Sequence, residues 1–423
     1  MIGVASRFPP GLAVWRDGAH SWLTAHARRR EAAGEVQWGE GPDSVSVFHN
    51  LGEAEERALI AGACAWQKTK LEAGYAAIGL PPAVGGRGFP AEYERAFDEE
   101  ENAFVTPETT ELVKVTTHLV APTIAAVGTS EQQAELVPPL LSADVLACQL
   151  FSEPAAGSDL AGVACRAVRD GDDWVVNGQK VWTSGARFAA YGELLARTDP
   201  TVPKHRGITA FLIPLDLPGV DIRPIRQMTG GASFNEVFFT DVRVPDRLRL
   251  GAEGDGWRVA LITLAFERDS SGSAHRPGGS VAMLVAAARH FGRDSDPLVR
   301  AELAQLFIRQ RVRDAIGARV DAARRAGQPP GPEASLGKIL WTQDMTHMTD
   351  VIGRILGPAL VADSGQWGTY AWAEHVLGAP GYRIAGGSDE IQRTIIAERV
   401  LGLPADIRVD KDVPFAEIRL SSR

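Results

Sequence analysis

Three stretches carry the residue types that could do chemistry. The first runs from Gln149 to Ala186, where QLFSEPAAGSD and NGQKVWTSG set small residues, hydroxyls and one tryptophan into a β-patterned segment. In their Ser-Glu-Pro and Gly-Ser-Asp contexts, Ser152 and Ser158 taken alone read as turn and cap residues. The second is Gly386-Gly387-Ser388-Asp389-Glu390. There Asp389, with Gln392 three residues on, forms a capping box that opens a helix over 390–401. A glycine-rich lead-in to a helix also presents free N–H groups, a place for a carbonyl or phosphate oxygen. The third is the Glu267-Arg268 pair after the apolar run 259–266. On spacing alone such a pair is a pair of surface charges at a helix end. His275, in the loop that follows, has no partner in the sequence and reads as inert.

These stretches fall on elements of different period. Residues 12–145 read as helical, with apolar spacings of three and four in segments such as 53–78 and 91–104. The glycine- and proline-dense 79–88 segment is a tight turn, and the Glu99–Glu101 run is a wet helix face. From about 146 the period becomes two. Segments 163–169, 174–176, 179–183, 194–198, 208–214, 221–227 and 234–242 read as strands, and Asn177-Gly178 as a type I′ hairpin turn. After 256 the helical period returns, over 257–271, 280–291, 297–326, 333–356, 365–377 and 389–401, with 328–332 (QPPGP) as a loop. The expected fold class is α+β. It comprises an N-terminal helical domain (1–145), a middle antiparallel β-barrel domain (146–255), a C-terminal four-helix-bundle domain (256–405) and a polar tail (406–423).

Composition bounds the function. The 423 residues suffice for two or three packed units, at 45% hydrophobic and 23% charged. A net charge of -9 argues against nucleic acid as a partner, since that affinity comes from clustered Lys and Arg. The longest apolar runs fall far short of the ~20 residues that span a bilayer, and Pro9 and Pro10 interrupt the N-terminal stretch. Arg7, Arg16 and the Arg28–Arg30 run would suit a transit peptide, but that run reads more simply as a solvated helix face. Three cysteines, Cys64, Cys148 and Cys165, without CxxC spacing read as buried thiols in a reducing compartment. The expectation is a cytoplasmic protein with no membrane partner and no metal.

In this order the segments 71–89, FSEPAAGSD (151–159), NGQKVWTS (177–184), FNEVFFTDVRVP (234–245) and IAGGSDEIQRTIIAERVLGLP (384–404) resemble the acyl-CoA dehydrogenase family. The resemblance implies FAD bound between the β domain and the C-terminal helices. Gln149, Phe151, Ser152, Gly157 and Ser158 would bind the flavin or its ribityl-phosphate chain. Trp182 and Ser184 would lie against the isoalloxazine, and Ser388 and Glu390 near FAD. Backbone amides and small hydroxyls can hold such a ring flat without crowding it. On the substrate side the resemblance implies acyl-CoA, touched by Ser158, Arg268, Gly386 and Gly387. It further implies an electron-transfer flavoprotein as oxidant and a homotetramer or mixed tetramer.

Two departures sharpen the reading. Most relatives carry a glutamate base at the position of Gly386, while isovaleryl- and long-chain-type enzymes carry it in a Glu-Arg pair on an earlier helix. That resemblance makes Glu267 the base, with the Gly386 N–H polarising the thioester carbonyl and flavin N5 taking the hydride. After Glu267, where relatives have a continuous apolar helix, Pro277, Gly278 and Gly279 should make this helix stop or kink. With Gly386, that break is expected to widen the pocket for a branched, cyclic or steroid-like acyl group. At the adenylate end, Ala288 stands where relatives have an arginine, Arg289 comes one residue late, and Gly357-Pro358 replace a Gln-x-x-Gly-Gly segment. Rival readings are a flavin oxidase or monooxygenase on the same fold, and a non-catalytic subunit of a mixed tetramer.

Overall fold

The computed structural model describes residues 9–30, 36–40, 45, 48, 50–270, 278–326, 331–407 and 409–418. His275, Pro277 and residues 328–330, for which the sequence carries expectations, fall outside them, as does Arg7.

Helices come first: α1 (Leu12–His26), α2 (Glu53–Ala73), α3 (Ala91–Glu101), α4 (Glu111–Lys114), α5 (Ala121–Val127) and α6 (Ser130–Leu141). A short pair, β1 (Arg28–Arg29) and β2 (Phe104–Val105), lies among them. Caps explain the boundaries. Thr129 and Gln132 form a reciprocal capping box on α6, and α2 stops at Gly74 with φ 79. The Glu99–Glu101 run is only partly wet, because Glu101 accepts from Trp66 Nε1 at 2.6 Å. Between α4 and α5 a π-turn, Val115–Val120, places Thr116 Oγ1 against both backbone groups of Ala147. That hydroxyl covers a strand edge that would otherwise be open.

The sheet holds β3 (Ala147–Leu150), β4 (Arg166–Asp170), β5 (Asp173–Ser184), β6 (Tyr191–Arg197), β7 (Ile208–Pro214), β8 (Val220–Ile225), β9 (Phe234–Pro245) and β10 (Arg249–Leu250). Its order is β10-β7-β6-β4-β5-β9-β8, with β3 added to β6. Most pairs are antiparallel, but β3 and β4 both run parallel to β6. The Asn177-Gly178 hairpin is not there. Residues 173–184 form one strand, the turn lies at Gly171-Asp172, and Gly178 is a bulge against β9. A Cβ at Gly178 would lie 2.7 Å from Cys165 Cα, so its glycine answers a close backbone approach.

The last helices are α7 (Gly256–Ser270), α8 (Val281–His290), α9 (Pro297–Arg325), α10 (Ala334–Leu356), α11 (Thr369–Tyr382) and α12 (Asp389–Ile395), the last continuing through a π-turn. The expected break after Glu267 has its described ends at Ser270 and at Ser280, which caps α8 through Met283 N. One apolar cluster joins three parts of the chain: Ile124 and Leu136, Leu195 and Leu212, and Val259 and Ala260 on α7. A second fills the opposite face of the sheet around Trp174, Phe211 and Val237. The C-terminal segment is polar in composition yet anchored. Phe415 N–H donates to Val202 O at 2.9 Å, and the Phe415 ring lies 3.9 Å from the Arg197 guanidinium. Among the described residues no helix is long and apolar enough to cross a membrane.

Candidate active site

The turn after β3 is built on a buried ion pair. Lys180, fully buried on β5, donates to Glu153 Oε1 at 2.6 Å and to Phe151 O at 3.0 Å. Glu153 also accepts the Ala164 and Cys165 amides at 2.7 and 2.9 Å, and Val181 N–H donates to Ser152 O at 2.9 Å. A carboxylate so paired and hydrogen-bonded can stay buried without an open charge. The expectations from sequence overlooked both residues. Nothing in the local sequence marks them as a buried pair.

This scaffold ties the segment after β3, with Phe151 and Ser152, to the stretch of β5 that carries Trp182 and Ser184, while Gln149 pairs with Glu193 on β6. Gly157 and Ser158 lie exposed on the connecting loop, and a Cβ at Gly157 would meet nothing within 4 Å. Trp182 is 60% exposed at φ 61, inside the register shift of β5 against β9 between Lys180 and Thr183. A non-glycine residue held in the left-handed region is strained, and the bulge turns its ring outward. Two buried groups, Thr183 Oγ1 next to it on β5 and Gln149 Nε2 on β3, lack partners among the described residues. Open space at Gly157, an outward indole and unpaired polar atoms suit a flat ring with polar edges.

The glycine motif lies at the α11–α12 turn. Gly386 and Gly387 have φ 61 and 85, and a Cβ on Gly387 would lie 2.7 Å from Gln392 Nε2. The cap differs from expectation: Ser388, not Asp389, accepts from Ile391 N, at 3.4 Å. Asp389 is buried and accepts from Arg383 Nε at 2.8 Å and Thr342 Oγ1 at 3.1 Å. Gln392 does not close a capping box either. Its amide donates to Gly386 O at 3.1 Å, and Lys338 Nζ donates to Gly387 O. With both carbonyls held, the two N–H groups are left over: among the described residues neither finds an acceptor. Glu390 is exposed on the first turn of α12.

A row of rings links the two regions. Trp182 meets Phe234 at 6.1 Å, Phe234 meets Phe48 at 5.4 Å, and Phe48 stacks on Tyr382 at 4.8 Å. Glu267 and Arg268 stand on the last turn of α7, and their side chains lie outside the described residues. One turn earlier, Thr263 Oγ1 lies 2.6 Å from Glu193 Oε1 and 3.0 Å from Thr123 Oγ1. Burial pushes the Glu193 carboxyl up to about 8, and its Oε2 has no partner among the described residues. An unpaired buried acceptor costs about 1–3 kcal/mol. The thiols of Cys148 and Cys165 are buried and pushed up to about 12 and about 11, which leaves them unreactive. Ala288 is buried in the C-terminal core among Leu284, Val299 and Ile352.

Comparison with known proteins follows the same three-part order. Residues 47–144 match the acyl-CoA dehydrogenase N-terminal domain, 148–242 its middle domain and 254–401 its C-terminal domain. The acyl-CoA dehydrogenase IpdE1 of Mycobacterium tuberculosis is 40% identical over 347 residues, covering 81% of this chain and 89% of that protein. Among solved structures, the Tcur3481-Tcur3483 steroid ACAD is similar at a TM-score of 0.71 and 25% identity, covering 95% of this chain and 100% of that one. The ChsE4-ChsE5 complex of M. tuberculosis is similar at 0.69 and 27%, covering 95% and 100%.

Proposed function

The chain belongs to the acyl-CoA dehydrogenase family as a flavin-dependent acyl-CoA dehydrogenase, and from that premise we propose that it oxidises the Cα–Cβ bond of a thioester with Glu267 as base. The observation that carries the reading is the match to all three family domains in chain order, with glycine at 386. In this reading Glu267, on the last turn of α7, removes the α-proton. The Gly386 and Gly387 amides, turned out by positive φ and without acceptors among the described residues, take the thioester carbonyl and stabilise the negative charge that develops on it. Gln149, Phe151, Ser152, Gly157, Ser158, Trp182 and Ser184, with Ser388 and Glu390, hold FAD, and Ser158 and Arg268 meet the CoA portion. FAD, when bound, supplies the acceptor for the β-hydride. Phe151 and Trp182 exclude water from one side of the reacting carbons.

The acyl group in this proposal is branched, cyclic or steroid-like. Its support is the likeness to the Tcur3481-Tcur3483 steroid ACAD and the glycine at 386, which removes a side chain from the pocket. Electrons leave to an electron-transfer flavoprotein. Anaerobic mixing of the parent chain and Glu267→Gln with a panel of acyl-CoAs tests the reading. Flavin bleaching is expected in the parent only, and equal bleaching by the variant would remove Glu267 from the role. A preference for unbranched medium-chain thioesters would end the pocket assignment.

Ala288 favours a mixed oligomer as a second element of the proposal. A buried alanine cannot reach across to a neighbour's FAD as an arginine would, so an unlike subunit supplies that contact. Native mass and the flavin spectrum of the chain purified alone test this: a homotetramer that retains stoichiometric FAD would overturn it.

A further inference from the structure

A polar corner in the wall between the sheet and α7 is half satisfied. Gln149 and Glu193 are Cα partners on the parallel strands β3 and β6, so their side chains leave the same face about 5 Å apart. Alternation identifies that face. Leu150 and Leu194 belong to the cluster on the far side, while Phe151 and Leu195 belong to the one that α7 joins. Glu193 is fully buried, and Gln149 is half-buried at the edge where the strand gives way to the 151–159 loop.

Thr263 meets one oxygen of Glu193, while the other, Oε2, and Gln149 Nε2 have no partner among the described residues. An open acceptor thus stands beside an open donor. Their complement is a group that gives one hydrogen bond and takes another, such as a hydroxyl or an imide N–H with its carbonyl. A structural duty explains the arrangement poorly. Without Glu193, Thr263 Oγ1 would still have Val259 O at 3.2 Å and Thr123 Oγ1 at 3.0 Å, and an apolar residue would pack against Leu212 and Val259 at no desolvation cost. Burial pushes the carboxyl up to about 8, which favours its uncharged form.

We infer that Glu193 and Gln149 form a ligand-recognition point for a donor–acceptor pair, carried either by the imide edge of the flavin or by a hydroxyl on the acyl group. The inference rests on the FAD and acyl-CoA reading above. It adds a residue that neither the loop motif nor the glycine motif contains.

Glu193→Met, which keeps volume and removes polarity, and Glu193→Gln, which keeps an acceptor and a donor, test it. Each apoprotein is melted and then titrated with FAD by flavin fluorescence, which needs no turnover and so stands apart from the dehydrogenase reading. The loaded proteins are then compared on acyl-CoA pairs that differ by one hydroxyl. The methionine variant is expected to melt at or above the parent temperature and to lose about tenfold in one arm. A loss in FAD affinity assigns the flavin as occupant, and a loss of preference for the hydroxylated thioester assigns the acyl group. The glutamine variant is expected to stay within about threefold of the parent in both arms. Unchanged FAD affinity and unchanged preference in the methionine variant overturn the inference, whatever happens to its melting. Should that variant not fold, Gln149→Leu carries the same two arms with Glu193 in place.

Discussion

Glu153 and the pair Gly386-Gly387 solve opposite problems. Around Glu153 two amides and the Lys180 ammonium converge on one buried carboxylate, and the turn at Phe151 and Ser152 is tied to β5 at two further backbone points. At Gly386-Gly387 the carbonyls are tied down by Gln392 and Lys338, while the amides have no acceptor among the described residues. A turn that spends its hydrogen bonds internally holds its shape without a ligand. A point that stabilises developing charge needs donors held in reserve. The difference separates residues whose loss should lower stability from residues whose loss should lower rate.

The widest separation is expected for Glu267→Gln. Its reductive half-reaction should fall about 10²–10⁴-fold, with FAD content and melting temperature unchanged. Stopped-flow bleaching beside a flavin spectrum measures both. Lys180→Met should behave in the opposite way: leaving Glu153 buried and unpaired costs about 3–5 kcal/mol, seen as a lowered melting temperature and poor FAD retention. Gly387→Ala sits between the two, since φ 85 and the Gln392 contact both resist a Cβ. A loss of about 1–3 kcal/mol is expected, together with a fall in kcat if the amides turn away.

Glu193 predicts a pH course in the apoprotein. Its folded pKa, about 8, lies above the ordinary 4.5, so the folded state holds a proton that the unfolded chain releases between those values. Stability from this group is complete below about 4.5 and declines as pH rises to about 8. Melts of Glu193→Gln should lack that component, and parallel courses in parent and variant would contradict it. The smallest effect belongs to Asp410→Asn. The variant weakens the contact of the C-terminal segment with Lys204, 2.6 Å in the parent, at an exposed position, and should lower the melting temperature only slightly.

Periodicity and punctuation made much of this legible beforehand. The change from spacings of three and four to spacing of two located the sheet, and the return after 256 located the last helices. The motifs FSEPAAGSD and NGQKVWTS pointed to the family, and the bonds from Val181 N–H to Ser152 O and from Lys180 Nζ to Phe151 O tie the two segments together. What stayed hidden were matters of approach and burial. Asn177-Gly178 carries hairpin chemistry, but its glycine serves the backbone of Cys165 across the sheet. Asp389 looked like a cap, but Arg383 and Thr342 draw it inward and leave the cap to Ser388. Glu153 and Lys180 attracted no notice because nothing local distinguishes a charged residue that faces water from one that faces its partner.

The order of the elements, the apolar stretches that must be covered and the family to which the motifs point were all written in the chain, because they depend on neighbours a few residues apart. Which polar groups lose water and which keep an open bond depends instead on parts of the chain that meet only in the folded molecule. Glu193 illustrates the reason: its burial is set by β3, α5 and α7 together, elements whose residues at 149, 123 and 263 stand 44, 70 and 70 positions away along the chain.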